Sequence, residues 1–544
     1  MKPASRLFFL TLCVLLAWTF PHTAAKAGDS PVSVGYYGGW AAYQGAAPDR
    51  LPAERLTHIN YAFADIHPSG KALVLTDPET DRSNFRRLRE LKERHPHLST
   101  LISVGGWDHS TYFSNAASTQ ANREAFAKSC VEFLLEHGFD GVDLDWEYPV
   151  SGGPEGIVSR PGDRENFTLL LRALRDALDA QGRRDGRSYL LTVAAGAGPG
   201  YLRNIQPEQV AALADHIFLM TYDYHGPWDR YADLNAPLYP PAEPSPQYKG
   251  SVTDSVQAFL SAGVPAEKLV LGMPFYGRLY QGVTGGGTGL YRPFSSSRSL
   301  AYREIARSYL TDASYGKYRH ERAQVPYLSG KSSFLSYDDP QSIAAKAITA
   351  RSLGLGGFGA WELSQDADGI LLDSAWNAWQ SDLPFADVLP GAWYYEAVAS
   401  LWEQGLMNGT SGSVFSPGGT LTRAMAAQLL YNLEGRPAPG GSSFQDVPDR
   451  AWYGDAVRWA ASSGLVSGYG NGRFGPDDLV TREQLAALLF RLARHRGLPA
   501  DARADLNSFS DSGKISGWAQ DSISWAAAEG LLLGKGGGRL DPRG

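Results

Sequence analysis

Three carboxylates alternate with apolar residues in the stretch Asp140–Pro149. Asp143, Asp145 and Glu147 stand two residues apart, which is the period of an extended strand, so all three would project from one face. Like charges on a buried face repel each other and lose solvation, and both effects raise the pKa of a carboxyl group. A structural core has no use for such a group, whereas an acid catalyst does. The stretch therefore predicts proton-transfer chemistry.

The structural alternative for this stretch is a solvated edge strand with one acidic face. The intervening residues Val142, Leu144 and Trp146 are too apolar for an exposed edge. Pro149 would end the strand just after Glu147 and so place that carboxylate at the C-terminal tip. We therefore predict a buried strand that presents its last acid at one end of the fold.

Short apolar runs alternate with amphipathic helical patterns over the first two thirds of the chain. After the acidic strand, for example, Phe167, Leu171, Leu174 and Leu178 recur at three- and four-residue steps. Eight strands that alternate with helices predict the fold class α/β, with a closed TIM (β/α)8 barrel. The predicted strands are Val32–Tyr37, His58–Ala64, Thr100–Gly105, Gly141–Glu147, Leu190–Ala195, His216–Asp223, Leu269–Phe275 and Gly356–Trp361.

A barrel of this kind collects its functional residues at the C-terminal ends of its strands. Distinctive motifs end the predicted strands. They are Ser103-Val104-Gly105-Gly106-Trp107 at the end of the third strand, Glu147 at the end of the fourth, Met220-Thr221-Tyr222-Asp223 at the end of the sixth, Pro274-Phe275-Tyr276-Gly277-Arg278 at the end of the seventh and Trp361-Glu362 at the end of the eighth. The order of these motifs supports the barrel prediction.

The regular spacing breaks after the seventh strand, between residues 277 and 336. A connection of about 60 residues is too long for a plain loop in a compact domain. The segment contains several tyrosines, including Tyr291, Tyr302 and Tyr318, which favour a packed structure over the alternative of a disordered loop. We predict a small α+β insertion, 277–336, beside the mouth of the barrel.

The sequence changes to a repeat of roughly 60 residues after the barrel. Phe385-Ala386-Asp387-Val388 returns as Phe444-Gln445-Asp446-Val447, and Thr422-Arg423 returns as Thr481-Arg482. The second threonine opens a capping box, so each full repeat is predicted to be mainly α-helical. We place the repeats at 384–435, 443–497 and 506–544. The third stops at Gly544, where its Thr-Arg helix should begin, so either it is incomplete or the sequence is a piece of a longer one.

The length of 544 residues indicates two or more domains. The composition excludes some classes of function. A net charge of −7 argues against a nucleic-acid partner, and the 14 Trp and 27 Tyr suit stacking on sugars as well as core packing. No cluster has metal-ligand spacing, and Gly285–Gly289 lacks the Lys-Ser/Thr of a phosphate loop. We therefore predict neither a metal nor another cofactor.

Residues 1–27 have the pattern of a secretory signal peptide. A charged start is followed by the apolar run Leu7–Phe20 and a small-residue cleavage site at Ala25–Ala27. With Cys13 removed, only Cys130 would remain, so the mature monomer would contain no internal disulfide. The apolar run Leu7–Phe20 is too short for a comfortable membrane span, so we predict no span in the mature chain. The sequence thus predicts a secreted, extracellular protein of bacterial type.

Within the predicted catalytic domain, 28–380, residues 32 to about 378 resemble the glycoside hydrolase family 18 chitinases that carry an insertion between the last two barrel strands. The resemblance rests on the acidic motif ending in Glu147, on Ser103-Val104-Gly105-Gly106, on Met220-Thr221-Tyr222-Asp223 and on Trp361-Glu362, in matching order. The family is one of the substrate-assisted exceptions among glycosidases. Geometry agrees, because neighbours such as Asp145 and Glu147, with Cα atoms about 6.5–7 Å apart on one side of a strand, can hardly flank a glycosidic bond.

The resemblance implies a role for each acidic residue of the site. Glu147 would be the general acid and then the base, while the carbonyl oxygen of the sugar's own 2-acetamido group attacks. Asp145 would hydrogen-bond the acetamido N–H and share a proton with Asp143. Tyr222 would hold the acetamido oxygen, with Asp223 nearby.

The resemblance also implies a set of substrate-binding residues. Two of them would hydrogen-bond the inner aspartates, one tryptophan would form the floor of the central subsite, and two others would stack on sugars on the leaving-group side. An arginine would lie in the cleft or brace the insertion. The set is Tyr36, Ser103, Trp107, Met220, Trp228, Arg278 and Trp361.

The C-terminal repeats resemble S-layer homology domains, which attach bacterial surface proteins to pyruvylated cell-wall polysaccharide. Arg423 and Arg482 match the family's ligand-binding arginine, and a guanidinium group suits an anionic sugar. A solvated charge at a helix start is the structural alternative for each. The resemblance implies attachment to the cell wall or S-layer.

Together these features predict a secreted, wall-attached chitinase that cleaves β-1,4-linked N-acetylglucosamine polymers. The alternatives are another family 18 enzyme, such as an endo-β-N-acetylglucosaminidase or a peptidoglycan hexosaminidase, and a non-catalytic chitin-binding lectin. Lectins on this barrel usually lack the acid that Glu147 supplies here.

Overall fold

The computed structural model describes residues 30–242, 245, 247–366, 368–441, 443–535 and 537–544. The predicted signal peptide, 1–27, lies outside the described residues. The described residues up to Ala392 form one compact unit, and those from Trp393 to Gly544 form a second. Among the described helices, none is long and apolar enough to cross a membrane.

The first unit is built on a closed parallel barrel of eight strands. Each strand pairs in parallel with its two neighbours, and the first strand pairs with both the second and the last, which closes the sheet. The predicted fold class is therefore confirmed. The barrel strands are β1 Val32–Gly38, β2 His58–Ile66, β4 Ser99–Gly105, β5 Gly141–Asp145, β6 Leu190–Gly196, β7 His216–Met220, β8 Leu269–Pro274 and β14 Gly357–Trp361, and a short β3, Leu73–Leu75, adds to β2 in antiparallel fashion.

Four barrel strands are shorter than predicted: β8 and β14 by one residue each, β5 by two and β7 by three. We expected β5 to reach Glu147, but it ends at Asp145, because its pairing with β4 stops at Gly105 and its pairing with β6 stops at Val193. Likewise β7 ends at Met220 instead of Asp223. Glu147, Tyr222 and Asp223 therefore lie on the loops that follow these strands, whereas Asp143 and Asp145 lie on β5 itself.

The helices of the described chain surround the barrel in the first unit and dominate the second. Many begin at side-chain caps: Thr119 accepts a hydrogen bond from the backbone N–H of Asn122, and that helix ends at Gly138 with φ 77°. In chain order, α1 to α15 are Pro78–Arg94, Phe113–Ala117, Gln120–His137, Asp163–Asp185, Pro199–Arg203, Pro207–Leu213, Val252–Ser261, Tyr302–Glu304, Pro340–Ser352, Ile370–Gln380, Tyr395–Glu403, Arg423–Leu433, Gly454–Ser462, Arg482–His495 and Gln520–Ala528.

Side chains on the two faces of the barrel strands lie in different environments, one between the strands and the helices and the other inside the barrel. Val142, Leu144 and Trp146 face outward into the main core, where they pack with helix residues such as Phe126 and Leu171. Asp143 and Asp145, which alternate with these apolar residues on β5, face the inside of the barrel. The predicted two-residue period of this strand is confirmed, and the helices bury its apolar face.

A five-stranded antiparallel sheet forms between β8 and α9, in the order β10-β9-β13-β12-β11. Its strands are β9 Tyr276–Gln281, β10 Ser296–Ala301, β11 Gly316–His320, β12 Val325–Gly330 and β13 Ser333–Ser336. The short helix α8 continues as a π-helix, Ile305–Tyr309. Because β9 follows β8 after a single residue, Phe275, the sheet brings Arg278 to the mouth of the barrel.

The second unit contains a repeated structural arrangement. The first turn of α12 donates backbone hydrogen bonds to the loop that precedes α14, from Arg423 to Asp478 at 2.9 Å. The first turn of α14 does the same to the chain end, from Arg482 to Gly544 at 3.2 Å. The predicted capping box that opens α14 at Thr481 is confirmed. Each Thr-Arg helix thus docks on the loop of the following repeat.

Candidate active site

Asp143 lies at the bottom of the barrel mouth and is fully buried. Its Oδ2 accepts hydrogen bonds from Tyr36 Oη at 2.8 Å and Ser103 Oγ at 2.7 Å, and its Oδ1 accepts one from Thr192 Oγ1 at 2.6 Å. Burial raises the pKa of Asp143, and these hydrogen bonds oppose that rise because they favour the charged form. The group is a fixed, hydrogen-bonded acid beneath the site.

Asp145 stands one step above Asp143 on the same face and is 3% exposed. Burial raises its pKa well above the usual range, and the charges of Glu147 and Asp143 add to the rise. Its Oδ1 is buried and has no hydrogen-bond partner among the described residues. An unsatisfied buried acceptor of this kind costs about 1–3 kcal/mol. A ligand that donates an N–H to it would remove that cost.

Glu147 lies two residues beyond β5 and is half-buried. Burial raises the pKa of its carboxyl to about 7, against the opposing effect of a hydrogen bond from Tyr148, and the charges of Asp223 and Asp108 contribute further. A carboxyl group with this pKa can give up and recover a proton near neutral pH. It has the properties of a general acid and base.

The loop after β7 places Tyr222 and Asp223 at the same mouth, two strands along the barrel from β5. Burial raises the pKa of Tyr222 well above its usual value, so its hydroxyl remains a hydrogen-bond donor. Arg278 donates from Nη2 to Asp223 and from Nη1 to Ser299 Oγ, the latter at 2.9 Å. The guanidinium carbon lies 5.6 Å from the ring centroid of Trp228. Arg278 therefore links the β7 loop to the insertion.

Aromatic rings line the open cleft around these polar groups. Trp361 stacks on Phe63 with ring centroids 5.6 Å apart and an interplanar angle of 24°, and it also contacts Tyr36 and Trp40. Trp107 and Trp228 are each at least half exposed, at 50% and 57%. Flat, exposed indole faces around a carboxylate pair are typical of a site that binds sugar rings.

The structure brings most of the predicted site residues to this one mouth. Met220 packs in the small inner cluster that also contains Tyr36, Tyr222 and Trp361. Trp107 follows β4 by two residues. The roles that we assigned to these residues stay predictions, since position alone does not establish them.

Sequence reasoning missed several residues that shape the site. Thr192 lies opposite Asp143 in the register of β5 and β6, and a lone threonine in an apolar strand was its only signal. Phe63 supports Trp361 from β2, and Ser110 hydrogen-bonds the backbone of Glu147. Neither of these two stands in a motif that marks it as functional.

The two predicted wall-binding arginines are engaged with their own chain. Arg423 donates from Nε to the carbonyl of Phe474 at 2.9 Å and from Nη2 to that of Ser467 at 2.7 Å. Arg482 makes the equivalent pair of bonds to the carbonyls of Leu540 and Leu533. Both arginines therefore help to hold neighbouring repeats together, and their role toward a polysaccharide stays a prediction.

Comparisons with known proteins agree with this geometry. The sequence profile of the family described as Glycosyl hydrolases family 18 matches residues 32–366. The profile of the S-layer homology domain matches 384–427, 443–486 and 508–544, so the chain carries such repeats after its barrel.

Individual relatives point to the same family. Chitinase A1 of Niallia circulans is 40% identical over 447 residues, which cover 70% of this chain and 63% of that protein, less than two thirds of its length. Chitinase ChiA74 from Bacillus thuringiensis has a solved structure with 33% identity and a TM-score of 0.62, covering 64% of this chain and 70% of that one. A family 18 N-acetylglucosaminidase from Paenibacillus barengoltzii has 37% identity and a TM-score of 0.59, covering 64% and 100%. The chain belongs to glycosyl hydrolase family 18.

Proposed function

We propose that this protein is a secreted, wall-attached chitinase that hydrolyses β-1,4-linked N-acetylglucosamine polymers with retention of configuration. The observation that carries the proposal is the pairing of Glu147, whose carboxyl has a pKa of about 7, with the buried Asp145, whose Oδ1 has no partner in the described chain. One group can transfer a proton, and the other can accept an N–H from the substrate. No second carboxylate across the cleft is needed for this chemistry.

In the first step, Glu147 protonates the glycosidic oxygen as its bond to C1 breaks. The carbonyl oxygen of the substrate's own acetamido group bonds to C1 and forms an oxazolinium-type intermediate. Asp145 accepts the acetamido N–H and offsets the positive charge that develops on that group. Tyr222 donates its hydroxyl to the acetamido oxygen and aligns it for attack.

In the second step, water attacks C1 from the face that the leaving group vacated. Glu147, now ionised, takes a proton from this water, and the acetamido group is released unchanged. The two successive displacements at C1 retain its configuration. Asp143 stays in place throughout, held by Tyr36, Ser103 and Thr192, and its proximity keeps the pKa of Asp145 high.

The substitution Glu147→Gln tests the assignment of the acid. It removes the proton donor with little change in shape, so we expect turnover of chitotetraose to fall by about 10²–10⁴-fold while oligosaccharide binding persists. Binding can be measured by calorimetry on the same preparation. Unchanged turnover would remove Glu147 from the mechanism.

Substrate assistance predicts two further outcomes with the wild-type enzyme. A polymer without N-acetyl groups should not be cleaved, because it has no internal nucleophile, and freshly released products should be β-anomers by proton NMR. Equal rates on the deacetylated polymer, or α-anomeric products, would contradict the mechanism.

The alternative is a family 18 hexosaminidase that acts on glycans or peptidoglycan. One similar solved structure is that of an N-acetylglucosaminidase, which keeps this alternative open. The insertion and the exposed Trp107 and Trp228 favour a long linear polymer. Mass spectrometry of products from a chitin oligomer and from purified cell wall separates the two, since release from wall alone would favour the alternative.

We further propose that the C-terminal repeats attach the protein to an anionic cell-wall polysaccharide after export. The support is the triple match to S-layer homology domains. Purified walls should co-sediment the protein, and walls stripped of that polysaccharide should not. Export itself is tested by N-terminal sequencing of the secreted protein, which should begin near Gly28.

A further inference from the structure

The catalytic acid lies outside the hydrogen-bonded sheet that carries its neighbours. The pairing of β4 with β5 ends at Gly105 and Asp145, and that of β5 with β6 ends one residue earlier. Glu147 follows two residues later. Something other than strand pairing must hold its backbone in place, because a general acid acts only within hydrogen-bond reach of the leaving oxygen.

The side chain of Ser110 holds the backbone of Glu147 in place. It is fully buried on the segment between β4 and α2. Its Oγ accepts a hydrogen bond from the backbone N–H of Glu147 at 2.9 Å. The same hydroxyl faces two carbonyl oxygens, that of Gly106 at 2.8 Å and that of Asp145 at 3.1 Å, to which its proton can be donated.

Two neighbouring contacts reinforce this attachment. The N–H of Gly106 donates to the carbonyl of Asp145 at 2.8 Å. The ring of Trp146, between the two acids, stacks on Phe113 with centroids 5.3 Å apart and an interplanar angle of 12°. The short segment from Gly106 to Phe113 therefore contacts the backbone on both sides of Trp146 as well as its ring, and Ser110 is its link to Glu147.

We propose that Ser110 is a positioning residue that sets the distance and direction of the Glu147 carboxyl toward the glycosidic oxygen. The inference rests on the proposed function and goes beyond it. It assigns control of proton delivery to Ser110, a residue outside the recognised motifs. Ser110 itself does not touch the substrate. Its effect passes through one backbone N–H.

The test uses Ser110→Ala in the full chain and two substrates that differ only in the leaving group. In chitotetraose the leaving group is a sugar hydroxyl, which needs a proton to depart. In dinitrophenyl β-chitobioside it is an acidic phenol, which departs with little help. We expect kcat/KM to fall about 10–100-fold on chitotetraose and less than threefold on the aryl substrate. This ratio reports the steps up to departure of the leaving group and therefore excludes the later base role of Glu147. KM for chitotetraose should stay within twofold.

Ser33→Ala provides a matched control for the loss of a buried serine hydroxyl. Ser33 is also fully buried and donates to a backbone carbonyl, that of Arg55 at 2.7 Å, at the start of β1 and so at the opposite end of the barrel. Both variants should lower the melting temperature to a similar extent. Only Ser110→Ala should discriminate between the two leaving groups.

A double substitution tests whether Ser110 acts through Glu147. In a Glu147→Gln background, Ser110→Ala should cost no further activity on the aryl substrate, because no proton donor remains to be positioned. If Ser110→Ala does not fold, Ser110→Cys keeps the volume with a weaker donor and acceptor, and it should give a smaller loss in the same direction.

Equal losses on both substrates, or no loss on either, would overturn the inference while leaving the proposed function intact. A wild-type enzyme that cleaves neither substrate would overturn the proposed function, and this role of Ser110 with it. The ratio of the two losses tests the positioning role, and wild-type turnover tests the function.

Discussion

At the scale of single residues, the site depends on carboxyl groups that the fold holds away from water. The pKa of Glu147 is about 7, and Asp223 and Asp108 contribute to that value after burial. The acid must carry its proton when the leaving group departs. Activity should therefore decline as the pH rises through about 7.

Asp223→Asn should move this decline to lower pH. Removing a negative charge near Glu147 stabilises its ionised form and so lowers its pKa, which means that the proton is lost earlier as the pH rises. Asp108→Asn should act in the same direction with a smaller shift, because its charge contributes less. The measurement is kcat/KM on chitotetraose across pH. A shift toward higher pH in either variant would contradict the electrostatic account.

Asp145→Asn should lower the activity of the enzyme and raise its stability. Burial and the charges of Glu147 and Asp143 disfavour the ionised form of Asp145. An amide carries no such penalty, so the variant should be more stable by about 1 kcal/mol at neutral pH. Turnover of chitotetraose should fall by roughly 10²-fold, because the amide cannot offset the developing positive charge. Thermal unfolding and kinetics on one preparation test both parts. A lower melting temperature would show that the carboxylate stabilises the fold.

At the scale of elements, strand register decides which side chains meet. Ser103 on β4, Asp143 on β5 and Thr192 on β6 occupy one row across the sheet. This row explains how Asp143 can be fully buried and still have its oxygens satisfied. The hydrogen bond from Thr192 on β6 is the one contact in this row that no sequence motif predicted.

The substitution Thr192→Val tests how much the hydrogen bond from Thr192 to Asp143 stabilises the fold. Valine keeps the shape but leaves Oδ1 of Asp143 without its 2.6 Å partner, and an unsatisfied buried acceptor costs about 1–3 kcal/mol. Urea denaturation at neutral pH measures the loss. Thr192→Ser is the control, because it keeps the hydroxyl and loses only a methyl group. A loss for Thr192→Val no larger than that for Thr192→Ser would contradict the importance of this hydrogen bond.

At the scale of the whole molecule, the chain divides into two compact units near Trp393. This boundary differs from the start of the first repeat, for which we predicted residue 384. Phe385, Ala386 and Val388 are buried, and Ala386 belongs to the main barrel core. The beginning of the first repeat motif is thus part of the first compact unit.

A chain that ends at Ala392 should therefore be more stable than one that ends at Leu383. The shorter chain loses buried apolar side chains, each worth about 1.5–3 kcal/mol when fully buried, so its melting temperature should be lower. Both should hydrolyse chitotetraose at 25 °C, and neither should co-sediment with walls. Equal melting temperatures would show that residues 384–392 do not stabilise the barrel.

The sequence by itself determined the local features of this protein. The two-residue period of the acidic strand, the alternation that predicts a barrel and the capping box at Thr481 follow from backbone geometry within a few residues, and the structure confirms them. The order of four motifs was sufficient to suggest the family, because each follows one strand of a fold whose strand ends share one rim.

Only the tertiary structure decided the contacts that depend on closure and register. It places Thr192 beside Asp143, joins Arg278 to Asp223, and attaches Glu147 to Ser110 where strand pairing has already ended. These partners are separated by 37 to 55 residues along the chain. No local pattern fixes such pairs, because their distance is set by how neighbouring strands and loops align once the barrel has closed.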